Sequence, residues 1–143
     1  MANQTNKELI VRIISPHGIV YEHHAIACSV RAIDGGMTLL ANHTPIMAAL
    51  EISPVQVRRT HDDIVDFIAI NGGVMQMSHN VCEIITSFAI RARDIDEARV
   101  ELDKQEAEAE MRAAITNEDS QAFKRAKIAL ERAINMISIS KNK

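Results

Sequence analysis

The sequence predicts a β-sandwich domain followed by an antiparallel two-helix hairpin, and three features predict it. All five glycines and all three prolines fall before residue 74. Up to about Thr86, short apolar runs alternate with turn residues at regular spacing, the pattern of an all-β sandwich or barrel. From about Asp94 the apolar residues recur at three- or four-residue steps, which is the helical period.

The expected strands are Leu9–Ile14, Ile19–Tyr21, Ala25–Ile33, Met37–Leu40, Met47–Leu50, Val55–Arg59, Ile64–Ile70, Val74–Met77 and Val81–Thr86. Turn residues separate them: S-P-H-G, D-G-G, A-N-H-T-P, T-H-D-D, N-G-G and S-H-N. In the third strand, alternation puts Ile26, Cys28, Val30 and Ala32 on one face and Ala27, Ser29, Arg31 and Ile33 on the other. The N-G-G run at 71–73 lacks the lysine and spacing of a phosphate-binding loop and reads as a hairpin turn. In the first helix Ile95, Ala98, Leu102, Ala109 and Ala113 mark an apolar stripe, broken at Gln105–Glu106. T-N-E-D-S at 116–120 supplies a turn and capping residues, and Phe123, Ala126, Leu130, Ala133, Ile134 and Ile137 form the stripe of the second helix. The domains are expected at 1–88 and 89–143.

Composition excludes several functions. A formal net charge of −3 offers no overall basic field for nucleic acid or an anionic membrane. The longest apolar runs fall far short of the ~20 residues a membrane span needs. The start, M-A-N-Q-T-N-K-E-L-I-V, has neither a secretory nor an organelle-targeting pattern, so a cytoplasmic chain is expected. Cys28 and Cys82 each sit in an apolar strand and are expected as reduced core thiols. His17, His23 and His24 lie close together, but adjacent strand residues face opposite sides, so exposed or hydrogen-bonded histidines are expected in place of a metal site. No nucleophile elbow or paired-carboxylate signature is present, and the chain is not expected to be an enzyme.

The helices differ in charge. Residues 93–115 carry four basic and eight acidic side chains, whereas 118–143 carry six and three. Their shared stripe is mostly alanine, and at ~0.8 kcal/mol per buried CH₂ it holds the pair weakly. Lys124, Arg125, Lys127 and Arg132 of the second helix are available either to the acidic first helix or to another protein.

Three stretches together, in order, carry a family resemblance: G-G-M-T-L-L-A-N-H-T-P-I-M-A-A-L, F-I-A-I-N-G-G-V-M-Q-M-S-H-N-V-C-E-I-I-T and R-D-I-D-E-A-R. The chain resembles the epsilon subunit of bacterial rotary (F-type) ATP synthase over essentially its full length. The resemblance implies a ten-stranded β-sandwich at the foot of the central stalk, contacting the gamma subunit and the ring of c subunits at the cytoplasmic face of the cell membrane. It implies a helical hairpin that either packs on the sandwich or extends toward the alpha and beta subunits and obstructs ATP hydrolysis. Asp34, Gly35, Asn42, His43 and Pro45 fall in the loop region implied near the rotor contacts, while Lys124, Arg125 and Arg132 would meet acidic surface on the beta subunit. Some relatives bind ATP through an Ile/Leu-Asp-x-x-Arg-Ala motif and a glutamate six residues before its aspartate. Ile95, Asp96 and Arg99 match, but Val100 replaces the alanine and Ile90 the glutamate; no cofactor is required, Asp96 and Arg99 are the residues the resemblance leaves for ATP, and the alternative reading is an i,i+3 surface pair or a helix cap. Two other readings stay open: a metal-dependent β-sandwich enzyme using His17, His23 or His24, and a scaffold whose helices mediate oligomerisation.

Overall fold

The structure is a computed structural model and describes residues 8–62 and 64–142. The first seven residues, Asp63 of the T-H-D-D turn and Lys143 lie outside the described residues. The chain divides into two compact units, Met1–Arg91 and Ala92–Lys143. The division falls after Arg91, not at 88, because Ala89–Arg91 pairs with Ile68–Ile70 as a further strand.

Among the described residues seven strands build the first unit: β1 (Leu9–Ser15), β2 (Gly18–Ala32), β3 (Gly35–Leu40), β4 (Ile46–Arg59), β5 (Val65–Ser78), β6 (Val81–Ile85) and β7 (Ala89–Arg91). The pairings β1–β6, β6–β5, β5–β4, β4–β2 and β2–β1 return to their starting point, so five strands close as a barrel. The β1–β6 pair is parallel and the rest are antiparallel. Closure removes most of the free edges that an open sheet would expose.

The expected ten strands are therefore corrected to about seven, since several apparent breaks lie inside long strands. Pro54 sits within β4, where five residues, 51–55, stand against two of β2. In that bulge β2 demands no hydrogen bond of residue 54, so the missing N–H is tolerated. The Ser53 hydroxyl donates to Glu51 O at 2.8 Å inside the same bulge. The N-G-G run is likewise a bend within β5 and not a hairpin turn, because pairing with β4 continues on both sides of it. Gly72 and Gly73 hold φ of +78° and +137°, and a Cβ on Gly73 would lie 2.2 Å from the Ile85 carbonyl oxygen. Only glycine lets β5 and β6 approach that closely at this corner.

The barrel interior is filled from alternate positions: Leu9, Val11 and Ile13 on β1, Val55 and Val57 on β4, Ile68, Ile70, Met75 and Met77 on β5, and Cys82 and Ile84 on β6. The expected face of β2 is corrected at Ile26, which is 38% exposed, while Ala25 and Cys28 both point inward. A register shift between Ala25 and Ala27 inserts one extra residue against β4 and reverses the phase of the strand. Cys28 and Cys82 are free, buried thiols.

The second unit begins with a 3-10 turn over Ala92–Asp94, followed by α1 (Glu97–Thr116) and α2 (Ser120–Ser140). Asp96 caps α1, its carboxylate accepting from Arg99 N at 3.2 Å, and Asp119 caps α2 in the same way from Ala122 N at 3.1 Å. The seam is built from Val100, Ala107 and Ala114 on α1 and Ala126 and Ala133 on α2. Seven-residue spacing keeps these small side chains on one line, which lets two helices lie close. The expected α1 stripe is thus corrected: Ala98, Leu102, Ala109 and Ala113 are exposed, Leu102 by 54%. At 100° per residue that stripe lies on the opposite side of the helix from the buried one. On α2 the expected stripe is largely the buried one, except that Ile134 is 48% exposed.

Candidate functional site

Asp96 and Arg99 are committed to the helix itself. The Asp96 carboxylate is the cap of α1, and the Arg99 guanidinium pairs with Asp103 at 3.4 Å, one turn along. Ile90, at the position of the implied glutamate, lies on β7 opposite Ala69 and supplies no polar group.

The loop residues singled out in the sequence separate into two groups. Asp34 and Gly35 lie at the turn from β2 to β3, while Asn42, His43 and Pro45 follow the far end of β3. Six residues of strand hold the two groups roughly 17 Å apart. Within the Ala41–Pro45 loop, His43 N–H donates to Leu40 O at 3.3 Å, and its ring Nδ1 is 2.7 Å from Thr44 O, a bracing contact when that nitrogen carries the proton. The structure instead brings this loop to the β5–β6 turn, where Asn42 N–H donates to Asn80 Oδ1 at 2.6 Å.

The cations of α2 are exposed, and among the described residues Lys124, Arg125 and Arg132 form no ion pair. Arg132 borders a groove of about 230 Å³ with Asp103, Glu106 and Glu110 of α1. Opposite charges thus face one another across the hairpin without direct contact, an arrangement in which solvent screening leaves little attraction.

His23 and His24 point to opposite sides of β2. His24 pairs with Glu8 at 3.1 Å, and the His23 ring lies 4.8 Å from that of Tyr21. Among the described residues no three histidine, cysteine or acidic side chains converge on one point.

A polar network ties four strands beside His23. The Tyr21 hydroxyl donates to Asp66 Oδ2 at 2.6 Å, Arg59 Nε donates to the same oxygen at 2.6 Å, and the Arg91 guanidinium lies 5.1 Å over the Tyr21 ring. Burial pushes the Tyr21 phenol above its usual range, reinforced by Asp66. Burial also pushes the Asp66 carboxyl up, but the hydrogen bonds from Arg59 and Tyr21 together outweigh it and hold the group below its usual range. Burial, then the charges of Arg59 and Arg91, hold the His23 imidazole below its usual range.

Sequence reasoning missed an apolar belt on the outside of the barrel. Ile19 pairs with Ile14, Ile14 with Ile85, Ile85 with Val74, and Val74 with Ala49. Ile19, Val74 and Ile85 are 59%, 44% and 55% exposed. Five strands at ~4.8 Å spacing make this row about 19 Å long. Ile33, whose N–H donates to Ala49 O at 3.0 Å, adds a further exposed isoleucine at its end. The neighbouring outward row, Gln76–Glu83–Arg12–Glu22, is polar, with Arg12 paired to both glutamates. A contiguous apolar patch with a polar rim marks a protein interface. Its sequence signal is apolar residues at both phases of a strand, as in L-I-V-R-I-I and V-C-E-I-I.

Comparison with known proteins agrees with both units. Residues 8–92 match the ATP synthase delta/epsilon chain β-sandwich domain, and residues 93–141 match the long α-helix domain of the same chain. The chain is 43% identical to an ATP synthase epsilon chain from Latilactobacillus sakei, over 97% of each chain. Its fold is also that of a chain in the Euglena gracilis mitochondrial ATP synthase, OSCP/F1/c-ring, with a TM-score of 0.78 at 21% identity, covering 92% of this chain and 81% of that one. A chain of the Tetrahymena thermophila mitochondrial ATP synthase central stalk/c-ring aligns with a TM-score of 0.51 at 12% identity, covering 60% and 68%. With both units matched in order and a relative of this identity along nearly the whole length, the chain belongs to the ATP synthase delta/epsilon chain family.

Proposed function

We propose that the chain is a non-catalytic subunit of the central stalk of rotary ATP synthase, which joins the gamma subunit to the ring of c subunits and restrains ATP hydrolysis through its helical hairpin. The observation that carries this reading is the rimmed apolar belt Ile19–Ile14–Ile85–Val74–Ala49, a surface suited to a permanent protein neighbour and assigned here to gamma. Among the described residues no helix is long and apolar enough to cross a membrane. On this reading the chain attaches at the cytoplasmic face of the bacterial membrane through the complex. The turn holding Asp34 and Gly35 and the loop holding Asn42, His43 and Pro45, at the two ends of β3, are assigned to the rotor contacts.

The hairpin supplies the restraint. Its alanine seam is inexpensive to part, and the exposed Lys124, Arg125 and Arg132 remain available to acidic surface on the alpha and beta subunits. Bound nucleotide is no part of this reading, because Asp96 and Arg99 already serve the start of α1.

Replacing Ile85 by glutamate tests the belt. The side chain points outward, so the barrel should keep its circular dichroism spectrum while co-assembly with gamma is lost. Full retention of the variant in purified ATP synthase would remove the belt from the stalk contact. Deleting the residues after Arg91 tests the hairpin: the remaining unit should still enter the complex, and ATP hydrolysis should rise.

A further inference from the structure

We infer that the polar cap over one end of the barrel is a pH-sensitive latch on β7, the strand that leads into the helical hairpin: when His23 takes up a proton, Arg91 leaves its seat on Tyr21 and the end of β7 comes free. The latch is a property of the chain by itself and stands apart from the reading of the hairpin as a restraint.

Strand register assembles the cap. Tyr21 belongs to the core cluster, and His23 stands two residues beyond it on the same face of β2. Arg59 stands two residues beyond the core residue Val57 on β4, Asp66 stands two before Ile68 on β5, and Arg91 of β7 lies directly opposite Ile68. Five side chains thus close this end of the apolar interior with polar groups.

Arg59 is firmly held and Arg91 is not. Arg59 donates from Nε and Nη2 to Asp66 at 2.6 and 3.3 Å and from Nη1 to Asp62 at 3.1 Å, which engages both carboxylates of the cap. Among the described residues Arg91 pairs with no carboxylate, and its guanidinium rests 5.1 Å over the Tyr21 ring. For a half-buried guanidinium that contact is a weak hold.

His23 shares the same ring. Its imidazole lies 4.8 Å from that of Tyr21, and the charged groups around it are Arg59 on β4, Asp62 in the turn that follows, Asp66 on β5 and Arg91 on β7. While His23 is neutral, the two guanidiniums balance the two carboxylates; its proton adds a third positive charge. Burial, then the charges of Arg59 and Arg91, oppose that proton, and linkage is mutual, so the proton once bound pushes on both guanidiniums. The one without a carboxylate yields. Because the boundary between the two compact units falls after Arg91, its release lengthens the connection between them.

The test uses the full chain in solution, from about pH 8 to about pH 5.5, a span that brackets histidine titration. Ring-current shifts of the Arg91 side-chain protons report the seat on Tyr21, and the His23 ring protons report the titration. The Arg91 signals should lose their shift with the midpoint of His23. At the acid end, trypsin should cleave after Arg91 about threefold faster than in His23→Gln at the same pH. His23→Gln should keep the Arg91 shift throughout. Arg91 signals that stay in place across the His23 titration would overturn the latch, as would the same movement in His23→Gln or equal cleavage of the two proteins. Should that variant fail to fold, Arg91→Gln asks the question from the other side. Without the guanidinium, His23 should bind its proton about threefold more tightly, and an unchanged proton affinity would overturn the proposal.

Discussion

The first unit presents Ile13, Ile68, Met75 and Ile84 to its interior, whereas the second presents Val100, Ala107, Ala114, Ala126 and Ala133 to its seam. An isoleucine buries several methyl and methylene groups where an alanine buries one, and each is worth ~0.8 kcal/mol. The strand pairings of the barrel also close on themselves, so no strand of the ring can leave without exposing two ladders. A helix leaving an alanine seam exposes little and keeps its own hydrogen bonds. The difference assigns the two roles of a stalk subunit: the barrel is built to hold one position, and the hairpin to exchange one set of neighbours for another at small cost.

The comparison breaks first at the barrel core. Ile68→Ala should cost about 2–5 kcal/mol of unfolding free energy, because a closed interior relaxes poorly around a cavity. Tyr21 is the single tyrosine in a chain without tryptophan, so its fluorescence reports on the barrel during denaturant unfolding while ellipticity at the helical band follows the hairpin. A loss below that range would mean that the interior is looser than its burial indicates.

Much of this contrast was legible in the sequence, and the exceptions have local causes. The strands over Leu9–Ile14 and Val81–Thr86 read correctly, to within one residue, because both are short runs rich in isoleucine and valine bounded by turn residues. Glycine and proline misled elsewhere: N-G-G is a close-packed corner inside β5, and Pro54 lies in a bulge of β4. A single inserted residue at Ile26 reversed the face of β2, which no periodicity argument detects. On α1 both sides carry alanines, so spacing alone chose Leu102 when the partner helix selects Ala107. Of the site residues, Asp96 was legible as the helix cap, whereas the Arg99 guanidinium pairs with Asp103 and not with Asp96. The belt was not legible, since apolar residues at both phases of single strands form a continuous row only once their register is fixed, and neither was the Asn42–Asn80 contact.

A second test sharpens the comparison within the hairpin. Ala107→Leu places three more carbons in the close seam and should destabilise the hairpin by about 1–3 kcal/mol. Leu102→Ala, on the exposed side, should change it by no more than about 0.5 kcal/mol. Thermal unfolding followed by helical ellipticity checks both. Equal effects would restore the stripe that spacing alone suggests.

A third distinguishes the units by acid. Asp66 titrates below its usual range in the folded barrel, so its contribution to stability is present above the unfolded carboxylate range and is lost as pH falls through the folded value. His23 is also held low, so the unfolded chain binds its proton first and barrel stability already declines as pH falls below about 6.5. His23→Gln should flatten that upper part of the profile while leaving the Asp66 part in place. A barrel midpoint constant between pH 7 and 5 would deny the His23 contribution.

The smallest expected effect on stability, and the one that best separates holding from exchanging, comes from replacing Lys124, Arg125 and Arg132 together by alanine. Alanine keeps helix propensity high. Among the described residues these cations form no ion pair, so the change should move hairpin stability by no more than about 0.5 kcal/mol. Inhibition of ATP hydrolysis should nevertheless weaken, because charges left unused within the hairpin are the ones available to a neighbouring subunit, where partial desolvation strengthens them. The two measurements are made on the same protein: ellipticity for the isolated chain and hydrolysis rates across salt concentrations for the assembled complex. A large loss of helix stability would show that the cations serve the hairpin after all. Unchanged inhibition in a fully assembled, helical variant would remove them from the restraining contact and leave the apolar face of α1 around Leu102 as the surface through which the hairpin acts.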